Sequence, residues 1–277
     1  MKNFIIYTYP FSFGIGGVKV LHKLCDVLNK NGQNAYLYPI PFPGQMDNSF
    51  IVNTSYNTPI VTNEILNDVD NCVVIYPEII KGNPLNAKTV VRWLLNKADD
   101  FLDTYNKNDI IVYYAKTFYS DILKNENNIL LIQEFHSDIF KNFNMERRNS
   151  CYAVRKCPSP VFQHPENSLE IKWGDVGNLE LMSTIFNTTE YFYCYDDVTF
   201  LSTQAAMCGC IPIIIPFRYS KEEWTTNTPK ICRYGVAYGN TPEELDYAKK
   251  TQPLIFKEIE ILENDMTQIN NFISLCQ

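Results

Sequence analysis

No stretch of this sequence stays apolar for the ~18 residues that a membrane-spanning helix requires, so no bilayer span is expected. The opening "MKNFIIYTYPFSFGIGG" has a short apolar run, but Tyr and Pro interrupt it and no small-residue cleavage pattern follows, so no secretory leader is expected either. CxxC pairs are missing. The nine cysteines (25, 72, 151, 157, 194, 208, 210, 232 and 276) are scattered and odd in number, which argues against a disulfide framework or a zinc site. Cys208 and Cys210 stand too close in sequence to build a structural site alone. Free thiols of this kind point to a reducing, cytoplasmic setting. Positive charge is also short: 24 Lys and Arg face 31 Asp and Glu, a net charge of −7. That balance sets the expectation that nucleic acid is not a partner, and it disfavours adhesion to anionic membranes by charge alone. Internal repeats and low-complexity linkers are lacking as well.

What is present is the material of an ordinary globular protein. Hydrophobic residues make up 45% and charged residues 20%, enough to build a core. The 277 residues suit one large domain or two of roughly 130 each. In the first half, "NFIIYTYP", "NAYLYPI", "NCVVIYPEII", "DIIVYYAK" and "NILLIQEF" read as strands. "GGVKVLHKLCDVLNKNG" reads as a helix with Val18, Leu21, Leu24, Cys25 and Leu28 on one face and Gly32 as its stop. "GNPLNAKTVVRWLLN" reads as a second helix with Pro in its first turn. The second half repeats the alternation. "SCYAVRK", "EYFYCYD" and "CIPIIIP" are strands; "VGNLELMSTIFN", "TFLSTQAAMCG" and "TPEELDYAKKT" are helices; "LIFKEIEILENDMTQINNFISLC" is one long terminal helix. Apolar strands separated by helices imply parallel sheets covered on both faces. The polar stretch "HSDIFKNFNMERRNS", residues 136–150, marks the break. The expected fold is α/β, with two Rossmann-like domains, 1–143 and 144–277, facing a cleft onto which strand carboxyl ends open.

Three places carry candidate chemistry. Gly16 and Gly17, at the first strand-to-helix turn, could admit a phosphate or sugar to a helix start, or could simply permit a tight turn. A dinucleotide fingerprint is not completed there: Lys19 stands at the third glycine's place and "NAYLYPI" ends without an acid, which disfavours an NAD-dependent oxidoreductase. Arg155 and Lys156 should emerge at the carboxyl end of "SCYAV", where a planar fork and a point charge together suit a diphosphate. Arg147 and Arg148 read as ordinary surface charges or interdomain pairs. In "YDDVTFLSTQAAMCGCIPIIIP", residues 195–216, Tyr195 and Asp196 end a strand and Thr199 falls near a helix start able to receive phosphate. Ala205, Ala206 and Gly209 keep that helix slim. The bland reading is that Asp196, Asp197 and Thr199 merely cap the helix.

That block, with "SKEEW" and "YGVAYG" after it, resembles the nucleotide-sugar domain of GT-B-fold glycosyltransferases, in particular a microbial and viral branch with a "YD..T..S..AA.CGC" pattern related to glycosyltransferase group 1. "GGVKVLHKLCDVLNKNGQNAYLYP" and "IYPEIIKGNPLNAKTVVRWLLN" resemble the acceptor-side domain of the same branch. The resemblance implies metal-independent transfer of a hexosyl or deoxyhexosyl group from a nucleotide-diphosphate sugar, a co-substrate and not a cofactor, to a glycan, lipid or protein hydroxyl. It implies a diphosphate site at Arg155, Lys156 and Thr199, with sugar and ribose contacts from Tyr195, Asp196 and Gln204. Asp196 and Gln204 stand where many of these enzymes carry the acids of a Glu-x7-Glu motif, so they depart from it. Glu223 and Trp224 match the branch but receive no role. No catalytic base is identified; Asp47, His22, Glu78, Glu134 and His136 are candidates by type, with Asp47 placed in a suitable loop. The alternative is a non-catalytic nucleotide- or glycan-binding partner of a larger glycosyltransferase. The sequence admits a homodimer and leaves the sugar, base, acceptor and stereochemistry open.

Overall fold

The structure is a computed structural model that describes residues 2–44, 49–98, 100–123 and 128–277. The chain forms two compact units. The first is residues 1–134 together with 266–277, and the second is 135–265. This division departs from the expected 1–143 and 144–277 in two respects. The boundary falls nearer the end of the first sheet, and the last helix returns to the first unit.

The first unit is a parallel sheet in the order β2-β1-β3-β4-β5, built from β1 (Asn3–Thr8), β2 (Asn34–Pro39), β3 (Cys72–Pro77), β4 (Thr89–Leu94) and β5 (Ile110–Tyr113). Between β1 and β2 runs α1 (Gly16–Lys30), which buries the expected stripe of Val18, Leu21, Leu24, Cys25 and Leu28. Gly32 follows in the left-handed region, φ 74°, where glycine carries no Cβ penalty. A short helix, α2 (Asn63–Asn67), precedes β3.

Two expectations fail in this unit. The stretch expected as a helix over 82–96 supplies β4 instead. Asn83 brackets Ala87, accepting from its N–H at 3.1 Å and donating to its carbonyl at 2.8 Å, and Asn86 sits at φ 52°, so no helix propagates. The following Thr-Val-Val run is β-branched and, from Val90 to Leu94, wholly buried, which suits a central strand. "NILLIQEF" makes one isolated bridge, Ile129 to Tyr113, and no full strand.

The second unit has the sheet order β10-β9-β8-β6-β7, also parallel throughout, from β6 (Ser150–Ala153), β7 (Leu169–Glu170), β8 (Tyr191–Cys194), β9 (Ile211–Ile214) and β10 (Ala237–Tyr238). Its helices are α3 (Leu179–Thr188), α4 (Phe200–Met207), α5 (Lys221–Asn227), α6 (Pro242–Thr251) and α7 (Ile255–Asn264). The expected single terminal helix is two. α7 stops at Asp265, whose ψ of 102° is extended, and α8 (Thr267–Cys276) packs Ile269, Phe272, Ile273 and Cys276 into the core of the first unit beside Phe4, Leu28 and Val73. Each fully buried apolar side chain of that kind contributes about 1.5–3 kcal/mol.

The Cys-Gly-Cys turn has a local cause. Gly209 has φ 89°, and a Cβ there would meet the Arg147 and Asn142 side chains at 2.7 and 2.8 Å. Arg147 is thus no ordinary surface charge. Its guanidinium donates to the carbonyls of Phe186, Thr189 and Cys208, satisfying the carboxyl ends of α3 and α4 together. Arg148 is exposed and pairs with Glu146 at 2.6 Å.

Candidate functional site

In the second unit the parallel strands all run out at one edge, and their tails carry the charged residues. β6 continues into Val154, Arg155 and Lys156; β8 into Tyr195, Asp196 and Asp197; β9 into Ile215, Pro216, Phe217 and Arg218. The Lys156 N–H donates to Asp196 Oδ1 at 2.6 Å, and the Lys156 ammonium donates to the Val198 carbonyl at 3.3 Å. Lys156 is therefore turned toward the start of α4. Asp196 is 1% exposed. Burial pushes its carboxyl up, against the pull of the Lys156 N–H and of the Lys156 and Arg155 charges. Lys156 is exposed by surface area, yet the protein crowded round it pushes its ammonium down; repulsion from Arg155 and Arg218 adds to this and Asp196 opposes it. Burial also lowers Arg155, whose guanidinium lies 3.7 Å from the centre of the Trp173 ring. Three cations thus share one strand edge with two buried carboxylates, Asp196 and its neighbour Asp197. Such an edge favours a multiply charged anion.

Asp197, expected at most as a cap of α4, and Arg218, which the sequence did not single out, also belong to this edge. Asp197 is 3% exposed and accepts from three successive backbone N–H groups, those of Phe217, Arg218 and Tyr219, at 3.1, 2.7 and 2.9 Å. Its own carbonyl takes the indole N–H of Trp224 at 2.8 Å. The acid therefore folds the tail of β9 back so that Arg218 arrives within electrostatic reach of Lys156. "SKEEW" now has a role: Ser220 and Glu223 form a reciprocal capping box for α5, and Trp224 braces Asp197 while packing 5.0 Å from Tyr238. Nothing in "PFRYS" advertises this, because the acceptor is twenty residues upstream.

The other sequence candidates are distributed unevenly. Thr199 does cap α4, accepting from the Leu201 N–H at 3.4 Å. Tyr195 is 1% exposed, and its hydroxyl accepts from the Gln163 N–H and pairs with His164 Nδ1, both at 2.8 Å, so it fastens the 160–165 loop to the sheet. Gln204 is buried within α4. In the first unit, Gly16 and Gly17 begin α1; neither has positive φ, and a Cβ at Gly16 would meet nothing within 4 Å. His22 is wholly buried, bonded through Nε2 to the Tyr9 carbonyl at 3.0 Å and lowered by burial. Glu78 accepts from the Leu95 N–H at 3.0 Å, and Glu134 accepts from the Tyr56 hydroxyl. His136, at φ 51°, turns its carbonyl to the N–H groups of Ile139 and Phe140. Asp47 lies outside the described residues.

Among the described residues no group of three or more His, Cys, Asp or Glu is placed to hold a metal ion, and no helix is long and apolar enough to cross a membrane. A groove of about 420 Å³ in the second unit, lined by Ser150, Leu169 and Thr189 among others, opens at the amino ends of the strands, away from the charged edge.

No family model matches the chain, and no curated protein matches it. Solved structures do. One, described as an alpha-glucosyltransferase in complex with UDP and a 13-mer DNA containing a central A:G mismatch, is 12% identical, with 100% of this chain and 96% of that one covered and a TM-score of 0.49. Another, an alpha-glucosyltransferase in complex with UDP-glucose and DNA containing an abasic site, is 13% identical over 99% and 93%, TM-score 0.49. MurG of Acinetobacter baumannii is 8% identical over 82% of each chain, TM-score 0.34. Two of these three hold DNA, which corrects the expectation that a net charge of −7 sets nucleic acid aside. Net charge is a sum over the whole chain and does not fix the charge of any one face.

Proposed function

We propose that the chain is a glycosyltransferase that takes a sugar from a nucleotide-diphosphate donor and delivers it to a hydroxyl acceptor. The observation that carries this reading is the convergence of Arg155, Lys156 and Arg218 on one strand edge beside the start of α4. In this reading Arg155 and Arg218 hold the diphosphate as planar forks, Lys156 adds a point charge, and the positive end of α4 contributes its dipole. Charge that builds on the departing diphosphate is met by groups already in place, so little reorganisation is needed as the glycosidic bond breaks. Asp196 serves by holding the Lys156 backbone. The nine free thiols suit a reducing compartment such as the cytoplasm.

Titration calorimetry with UDP, GDP, ADP and TDP tests the donor half: one should bind with micromolar affinity, and binding of none would overturn the reading. Incubation of the matching nucleotide-sugar with sugar, lipid and DNA hydroxyl acceptors, followed by release of the nucleotide, tests transfer. Binding without release, even slow release to water, would leave a binding protein in place of an enzyme.

A further inference from the structure

The sequence holds three tryptophans, and they differ sharply in environment. Trp93 is fully buried and Trp224 is 3% exposed, whereas Trp173 is 61% exposed. A large indole left in water costs apolar hydration, so its surroundings bear on why it stands there. β6 and β7 pair with Cys151 opposite Leu169 and Tyr152 opposite Glu170, and the Ile171 N–H extends the pairing to the Tyr152 carbonyl at 2.8 Å. Continued by the same register, the tail of β7 sets Trp173 opposite Arg155, and the guanidinium indeed covers the ring at 3.7 Å. The backbone beneath Trp173 is fixed. Lys172 N–H donates to Asp175 Oδ2 at 2.8 Å and Asp175 N–H returns to the Lys172 carbonyl at 3.1 Å, so the indole rides on a closed turn.

We propose that Trp173 is the stacking platform for the planar base of a nucleoside diphosphate whose phosphates lie on Arg155 and Lys156. This inference rests on the donor reading above. The indole offers a flat, rigid, water-accessible surface one side chain away from the cations, which is the combination a base joined to a diphosphate requires. It also predicts selectivity: a sugar phosphate or bare pyrophosphate engages the cations and leaves the indole untouched.

Because the other two tryptophans are buried, the solvent-exposed part of the emission belongs to Trp173. Fluorescence of the full chain is titrated with UDP, GDP, ADP, TDP and inorganic pyrophosphate. At least one nucleotide should quench that emission, and pyrophosphate should bind without quenching it. Trp173→Ala should weaken the binding nucleotide on the order of 10-fold or more and leave pyrophosphate affinity within about 2-fold, with Trp173→Phe recovering most of the loss. Nucleotide binding that leaves Trp173 emission unchanged would overturn this inference alone. So would equal losses of nucleotide and pyrophosphate in Trp173→Ala, since the indole would then serve only to hold Arg155. Failure of every nucleotide and of pyrophosphate to bind would overturn the donor reading and this inference with it.

Discussion

Asp26 in the first unit and Asp196 in the second are both almost completely buried, and the two are treated in opposite ways. Asp26 in the first unit accepts from the Lys30 ammonium at 2.8 Å, the Asn57 N–H at 2.9 Å and the Lys23 ammonium at 3.4 Å. Burial alone would raise it, but those partners carry it below its ordinary value. Asp196 in the second unit has one backbone N–H, and burial wins, carrying it above its ordinary value although Lys156 and Arg155 are near. Two cations of the first unit are held by the protein itself: Lys30 by Asp26, and Arg92 by Asp109 at 2.7 Å and the carbonyls of Ile80 and Gly82 between the rings of Tyr76 and Tyr105. Those at the second unit's edge repel one another and compensate their aspartate only in part.

The largest test of this contrast lies just behind the edge. Asp197→Ala should cost about 4 kcal/mol of unfolding free energy in urea, because three backbone N–H groups lose a charged acceptor together; hydrogen exchange should rise at residues 217–219 first. Asp26→Ala should cost about 3 kcal/mol and act on the first unit, by freeing the 53–58 segment that Asn57 anchors. Arg155→Ala should change stability little and weaken pyrophosphate on the order of 10-fold, with nucleoside binding spared. Equal losses for nucleoside and pyrophosphate would contradict a phosphate role.

The smallest effect has the most telling sign. Asp196 is raised above the unfolded value of about 3.8, so the folded protein holds its proton more tightly. Its contribution therefore favours the fold at low pH and declines as pH rises from about 3.8 through the raised value. Asp26 is lowered, so its contribution is full above 3.8 and is lost as pH falls through its depressed value. Asp196→Asn should accordingly raise stability at neutral pH by less than about 1 kcal/mol and leave anion binding no weaker, because the amide oxygen can still accept from the Lys156 N–H while the negative charge beside the cations is gone. A loss of stability at pH 7 in that variant would break the contrast between the two aspartates.

Much of the architecture could be read from residue pattern, because parallel strands buried on both faces are continuous apolar runs and α1 has a regular stripe. "TVVRWLL" misled because a short apolar run after Pro suits a helix start as well as a strand, and only the Asn83 bracket on Ala87 decides. The terminal segment kept a helical pattern through Asp265, so its division between units was invisible. Of the residues proposed for the site, Arg155, Lys156 and Asp196 could be picked out because strand-end position is a local property, and Thr199 because a helix cap is one too. The true partners of Asp197, Arg218 and Trp173 could not be read, since they lie 21, 62 and 18 residues away in sequence.

By itself, then, the sequence determined two parallel α/β units, free thiols, and which strand tails carry charge, for these follow from composition and periodicity along the chain. Only the tertiary structure decided that Asp197 folds Arg218 toward Lys156, that Arg147 closes two helices at once, and that one tryptophan of three stands in water over Arg155. Those facts depend on which strands become neighbours, and neighbour choice is set by packing of the whole sheet, which no local window contains.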